Sequence, residues 1–438
     1  MRRVGIVCAL LVMLGGCTFY TGDDLLLAPQ PTKNLVALQE QLRKIRDGGA
    51  VYAVPQIGQN RSTVQLVDLD GDETDEAVAF FRDSSTASTF TVYVFKKQED
   101  AYVLSDSVSG HGLSVQSVEY PIFSKNGKKG IAIAWGLEDG QTSALTLCDF
   151  DAEGKIGTLL TTDFLNYRLC DLTGDGADEL LTLGSDGSKG RVAILYEYQA
   201  GSLRELGRAA VSREAVSFVR LTTGYLTDGV PAVFAEARPD TGIGMMTDIF
   251  VYGDGQLHNV TQNTESGASS GSYRAMNVYA TDIDGDHVTE VPRTVLMEGF
   301  ADPNEPAALY LLDWYAYDQN GGAALKRTTY HNIAEEWSFR WPDSWRSRVT
   351  ATKETADGVN RTTFYEYVAG GENRELFTIY CCTGEQATRY AAQSQLVPLA
   401  ETNSAYYAAS IAAGGSSLAL PTEEIQSRFN LITSDWMG

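Results

Sequence analysis

The chain has 438 residues, a formal net charge of −23 and 43% hydrophobic residues. Such a charge argues against binding nucleic acid through its phosphates. The hydrophobic share, with 22 tyrosines and 6 tryptophans, argues against disorder and predicts a well-filled, β-rich core.

In chain order, Arg2 and Arg3 precede an apolar run over residues 4–14 that is too short to span a bilayer as a stable helix, and Leu14, Gly15, Gly16 and Cys17 follow. This segment resembles a bacterial lipobox. The resemblance implies that residues 1–17 are a signal peptide, cut before Cys17, and that Cys17 is diacylated. Two acyl chains hold a protein on a membrane where one is marginal. The competing reading is an ordinary secretory signal with an incidental cysteine. No later segment reaches 18 consecutive apolar residues, so the body is expected to be extracytoplasmic, hung from the cell membrane. Losing Arg2 and Arg3 makes it two units more negative. Residues 18–50 are expected to form a tether, with Pro29 and Pro31, and a short helix over 34–47. In that helix Leu35, Leu38, Leu42 and Ile45 recur at helical spacing, and Gly48 and Gly49 stop it.

Between residues 51 and 331 three acidic loops of one design recur, at Asp68–Glu76, Asp171–Glu179 and Asp282–Glu290. Oxygen-bearing side chains at positions 1, 3, 5 and 9 of a tight turn converge on one point, which suits a hard cation wanting six to eight oxygens. Position 4 is always glycine (Gly71, Gly174, Gly285), which permits the positive φ the turn needs. Apolar strand-like runs flank the loops, as in residues 64–67 and 77–81. Degenerate copies without the acidic set lie at residues 123–130 and 221–229, so the period is roughly 50–60 residues, with five units. The third unit marks four strands, over 167–170, 180–183, 192–198 and 203–211.

Four-stranded units at this period suggest propeller blades. The loops resemble the FG-GAP and VCBS-type repeats of integrin-α-like β-propellers and bacterial surface proteins. The resemblance implies a mainly β chain, a β-propeller of about five four-stranded blades, with structural Ca2+ as the cofactor. By it the calcium ligands are Asp68, Asp70, Asp72 and Glu76, then Asp171, Asp175 and Glu179, then Asp282, Asp284, Asp286 and Glu290. Thr173 replaces the usual acid or amide in the second loop, which weakens that site. Asp75 and Asp178, at position 8, cap or face solvent. An EF-hand fits poorly, because its glutamate is at position 12 between helices. The bland alternative is that Asp and Gly are ordinary turn formers.

Residues 332–438 are expected to form a small α+β domain, with strands over 348–354, 361–368, 376–382 and 405–411 and helices over 384–395 and from Thr422, where Glu423 or Glu424 helps cap the start. It loosely resembles small C-terminal domains of other Gram-positive lipoproteins. Trp337, Trp341 and Trp345 recur every four residues, as core or as a sugar platform, with core preferred. Cys148 and Cys170 fall on adjacent units, where a bridge is possible, while Cys381 and Cys382 read as structural thiols. His111, His258, His287 and His331 show no metal-pair or catalytic spacing. The preferred function is a lipid-anchored, calcium-binding, non-catalytic module for a glycan or a protein. The alternative is a glycan-active hydrolase using a carboxylate pair in the propeller's central pocket.

Overall fold

The computed structural model describes residues 33–432, apart from 85–88, 100, 138–142, 188–189, 264, 303–304 and 306. The signal segment and Cys17 lie outside the described residues. The chain divides into two compact units, one made from residues up to 119 with 133–138 and 150–158, the other from 120–132, 139–149 and 159 onward.

The chain is mainly β, built from successive antiparallel sheets of consecutive strands. In the first, β1 (Ala50–Tyr52) and β2 (Val64–Val67) both pair with β3 (Glu76–Asp83), followed by β4 (Thr89–Gln98) and β5 (Ala101–His111). The second holds β6 (Ser114–Glu119), β7 (Ile131–Gly136), β8 (Ser143–Phe150) and β9 (Ile156–Phe164). The third holds β10 (Asn166–Cys170), β11 (Glu179–Ser185), β12 (Arg191–Gln199) and β13 (Ser202–Ala210). The fourth holds β14 (Ala215–Tyr225), β15 (Pro231–Pro239), β16 (Met246–Gly253) and β17 (Gln256–Asn259). The fifth holds β18 (Val291–Leu296), β19 (Tyr310–Tyr317), β20 (Ala323–Asn332) and β21 (Trp337–Arg340). The sixth sheet runs β22 (Val349–Ala356), β23 (Val359–Glu366), β24 (Arg374–Thr383), then β26 (Ala405–Ile411) and β25 (Val397–Glu401), and β27 (Phe429–Leu431) returns to the edge of the fifth. Five four-stranded meanders in sequence are the construction of a β-propeller.

The stacking of the later sheets explains the unbroken apolar runs. In β15 the side chains of Val233, Ala235 and Ala237 pack with Leu181, Leu183 and Leu195 of the third sheet. The alternate residues Ala232 and Phe234 pack with Val291 and Tyr317 of the fifth. Strand periodicity sends successive side chains to opposite faces, so a strand buried on both is apolar along its buried length, with Glu236, paired with Arg274, the exception in β15. The fifth sheet is covered again on its far side. There Tyr330, Trp337 and Phe339 meet Phe364, Phe377 and Ile379 of the sixth, in a cluster that includes Trp341 and Trp345. All three tryptophans are buried, so the spacing of four serves the core and these three do not form an exposed platform.

Three α-helices are present among the described residues. In α1 (Lys33–Asp47), Leu38 and Leu42 pack on Ala77, Ala79, Phe81 and Phe95 of the first sheet, while Leu35 is left exposed. The other two are short: α2 (Glu385–Ala391) and α3 (Thr422–Arg428). No side chain caps α3; Glu424 instead holds Arg428 one turn on, at 2.6 Å. Cys148 and Cys170 remain buried thiols, as do Cys381 and Cys382, and the bridge weighed for the first pair does not form. Burial pushes the Cys170 thiol up to about 12, which leaves it unreactive. No described helix is long and apolar enough to cross a membrane.

Candidate metal centres

Each acidic loop closes a hairpin with the same frame. The closing pairs are Val67–Glu76, Cys170–Glu179 and Thr281–Glu290, nine residues apart in every copy. In the third, the strand before the loop shrinks to that single bridge. Its backbone is diverted: the Ala280 N–H donates to Glu236 Oε1 at 2.6 Å instead of to a ladder.

Within the loop the position-1 aspartate organises the turn. Asp68 Oδ1 accepts from the N–H groups of Gly71 (2.8 Å) and Asp72 (3.2 Å), and its Oδ2 from Glu73 (3.1 Å). Asp171 repeats the set with Gly174, Asp175 and Gly176, and Asp282 with Gly285, Asp286 and His287. The position-5 carboxylates Asp72, Asp175 and Asp286 each accept from the N–H two residues on, at 2.8–2.9 Å. Position 4 has φ of 81°, 77° and 82°, as expected of glycine there. Position 6 is also left-handed, at Glu73 (65°), Gly176 (90°) and His287 (70°). The sequence reading missed this second constraint; the glycine at 176 was its only trace.

The apolar residue at position 2 (Leu69, Leu172, Ile283) is buried, and its N–H donates to Oε2 of the position-9 glutamate at 2.9, 2.7 and 3.1 Å. That bond fixes the carboxylate under the loop and leaves Oε1 to find its own partner. In the first and third loops Oε1 of Glu76 and Glu290 is buried with no hydrogen-bond partner. In the second, the Thr173 hydroxyl donates to Glu179 Oε1 at 3.0 Å. Burial, the largest cause, pushes Glu76 and Glu290 up to about 7, with neighbouring aspartates adding to it, and Glu179 to about 6.

The carboxylates therefore converge as sets that could hold a cation: Asp68, Asp70 and Glu76; Asp171, Asp175 and Glu179; Asp282, Asp284 and Glu290, each offering one oxygen within 4.8 Å of the others. Asp72 and Asp286 lie outside those tight groups. Asp286 pairs with Lys326 at 2.9 Å, Asp284 lies 3.7 Å from Arg327, and Asp70 bonds Lys96. The all-oxygen donor set and the orphaned buried oxygens fit a hard divalent cation.

Position 8 stitches neighbouring units. Asp178 exchanges two bonds with Ile122, its N–H donating to the Ile122 carbonyl and its Oδ2 accepting from the Ile122 N–H, both 2.7 Å. The Thr289 N–H donates to the Tyr225 carbonyl at 2.9 Å. The partners belong to the degenerate turns, which close the second and fourth hairpins without acids. Asp178 is a cap; the Asp75 carbonyl accepts from Tyr102 at 3.2 Å.

No protein-family model matches the chain, and no curated protein does. Among solved structures it is similar to the Dos1 propeller, at 9% identity with a TM-score of 0.28, covering 82% of this chain and 81% of that one. It is also similar to the exotype rhamnogalacturonan lyase YesX, at 14% identity and a TM-score of 0.26, covering 72% of this chain and 61% of that one. These likenesses are distant, and the propeller assignment rests on the strand order and the stacking of the sheets.

Proposed function

We propose that the protein is a lipid-anchored, calcium-binding surface module that holds a glycan or a protein without altering it. The observation that carries the calcium reading is the pair of buried, unpartnered oxygens on Glu76 and Glu290, on carboxylates that each bring an oxygen within 4.8 Å of two loop aspartates. A buried carboxylate without a partner is costly, and a cation in the loop would remove that cost. The second loop answers the same need with Thr173, so the first and third are the calcium sites and the second is a hydrogen-bonded variant of them. In this reading the anchor is Cys17, supported by the sequence of residues 2–17 alone.

Adding calcium to chelated protein is expected to raise the melting temperature, and chelator to lower it again. No shift in either direction removes calcium from the reading. Cys17→Ser is expected to release the protein from the membrane fraction, and a variant that stays bound contradicts the anchor. Immobilised protein, exposed to solubilised envelope glycans and proteins with calcium or chelator, is expected to retain a partner unaltered. Shortened glycan in the supernatant would instead make it a hydrolase.

A further inference from the structure

The chain is acidic overall, yet one edge of the fifth sheet gathers guanidinium groups. Register places Arg340 of β21 opposite Thr329 of β20, with Arg327 two residues back on the same face. Arg428 immediately precedes Phe429, which pairs with Phe339, and so falls beside Arg340. The side chain of Arg428 is held by Glu424 at 2.6 Å, and that of Arg327 by the Ile283 carbonyl at 2.9 Å with Asp284 at 3.7 Å. The Arg340 carbonyl accepts from Arg428 Nη1 at 3.2 Å, while among the described residues the Arg340 guanidinium makes no direct hydrogen bond or ion pair. Burial first, then the charges of Arg428 and Arg327, push its pKa down, and Glu424, already committed to Arg428, offsets this only in part: a half-buried cation faces two others without a carboxylate of its own.

The cluster continues into a cleft of about 310 Å3 lined by Lys326, Arg327, Trp341 and Arg346, with Asp343 as its one acidic lining residue. Arg346 is half exposed while it pairs with buried Asp313 at 2.7 Å, and Lys326 pairs with Asp286. The Trp341 indole N–H is buried and has no acceptor among the described residues. Two donors along this edge, the Arg340 guanidinium and the Trp341 N–H, are thus left uncommitted, while the other cations are paired with carboxylates. Planar guanidinium forks match the oxygens of sulfate and carboxylate groups. Since the body repels polyanions at long range, such a ligand would be held only where cations are concentrated.

We propose that the edge formed by Arg428, Arg340, Arg327 and the adjoining cleft is a binding site for the oxyanion groups of an anionic polysaccharide. The proposal names the ligand class for the surface-module reading and rests on that reading only in choosing a polymer. Arg340 supplies the uncommitted charge, and Arg327 and Arg346 line the path.

The test is calorimetric titration of the purified protein with dextran sulfate, neutral dextran of the same length, and inorganic sulfate. Dextran sulfate is expected to bind and neutral dextran not to. Arg340→Gln should weaken dextran sulfate at least tenfold with an unchanged melting temperature, while Arg204→Gln, at an exposed pair elsewhere, leaves the affinity as it was. Equal affinity in the Arg340→Gln protein, or no binding of dextran sulfate at low salt, overturns the proposal. Binding of inorganic sulfate alone overturns the polymer assignment. Should Arg340→Gln fail to fold, Arg340→Lys keeps the charge but loses the fork, and an affinity equal to the parent's overturns it as well. If sulfated polymer binds through Arg340 but wild-type protein retains nothing from the envelope, the surface-module reading fails and the site remains.

Discussion

At the scale of single residues, the metal loops turn on two atoms, Oε1 of Glu76 and Oε1 of Glu290. Their raised pKa values mean that the folded, metal-free protein binds protons more tightly than the unfolded chain, so stability falls as pH rises from about 4.5 through about 7. Replacing each glutamate by glutamine keeps an oxygen for the position-2 N–H and removes the buried charge. Glu76→Gln and Glu290→Gln are therefore expected to raise the melting temperature of chelated protein at pH 7.5. Each is also expected to shrink the rise produced by calcium. A glutamine variant that responds to calcium as fully as the parent would remove that glutamate from the ligand set. The left-handed position 6 gives an independent check. A side chain there costs about 1 kcal/mol or more, partly offset by the extra freedom of glycine in the unfolded chain. Glu73→Gly and His287→Gly should each stabilise chelated protein by about 0.5 kcal/mol in denaturant titrations.

At the scale of elements, the long connection between β17 and β18 is anchored by a buried ion pair, alongside the hydrogen bonds of Ser269 to Asp248 and of the Thr247 N–H to Ser272. Arg274, fully buried, bonds Glu236 on β15, the Thr247 hydroxyl on β16 at 3.0 Å, the Ser272 carbonyl at 3.1 Å, and the Val278 carbonyl. Glu236 in turn takes the Ala280 N–H, two residues before the third metal loop. The pair thus sets where that loop begins, and nothing in the residue pattern around Arg274 announced it. Arg274→Met leaves the Glu236 carboxylate buried without its cation, at a cost of about 3–5 kcal/mol. Adding Glu236→Leu should recover most of that loss, measured by urea unfolding. A single variant as stable as the parent would show that the connection is held by other contacts.

At the scale of the whole molecule, pH dependence has a second source, of the opposite sign. His331 is buried in β20 beside Trp314, with ring centroids 5.8 Å apart, and burial depresses its pKa to about 3. The unfolded chain takes up this proton near pH 6.5 and the folded chain does not. Stability is therefore unaffected above about pH 7 and falls by up to about 1.4 kcal/mol per pH unit below 6.5. His331→Gln, if it folds, should flatten this acid limb, and a limb of the same slope would assign the loss to other groups. The two effects oppose each other between pH 4.5 and 6.5, so the glutamine variants are best compared with the parent at pH 7.5.

The acidic loops, their glycine at position 4, the period of 50–60 residues and the strands of the third unit were legible in the amino-acid sequence, because turn geometry and strand alternation are local and leave residue-type signatures. The helix over residues 34–47 was legible for the same reason. Other features depend on contacts between residues far apart in the chain, which no spacing records. These are the diversion of the third loop's first strand by Glu236, the burial of all three spaced tryptophans between the fifth and sixth sheets, the return of β27 to the fifth sheet, and the gathering of Arg327, Arg340 and Arg428. The loop chemistry was written locally; which carboxylate oxygens are left without a partner was decided by tertiary structure, because only packing determines what each buried atom meets.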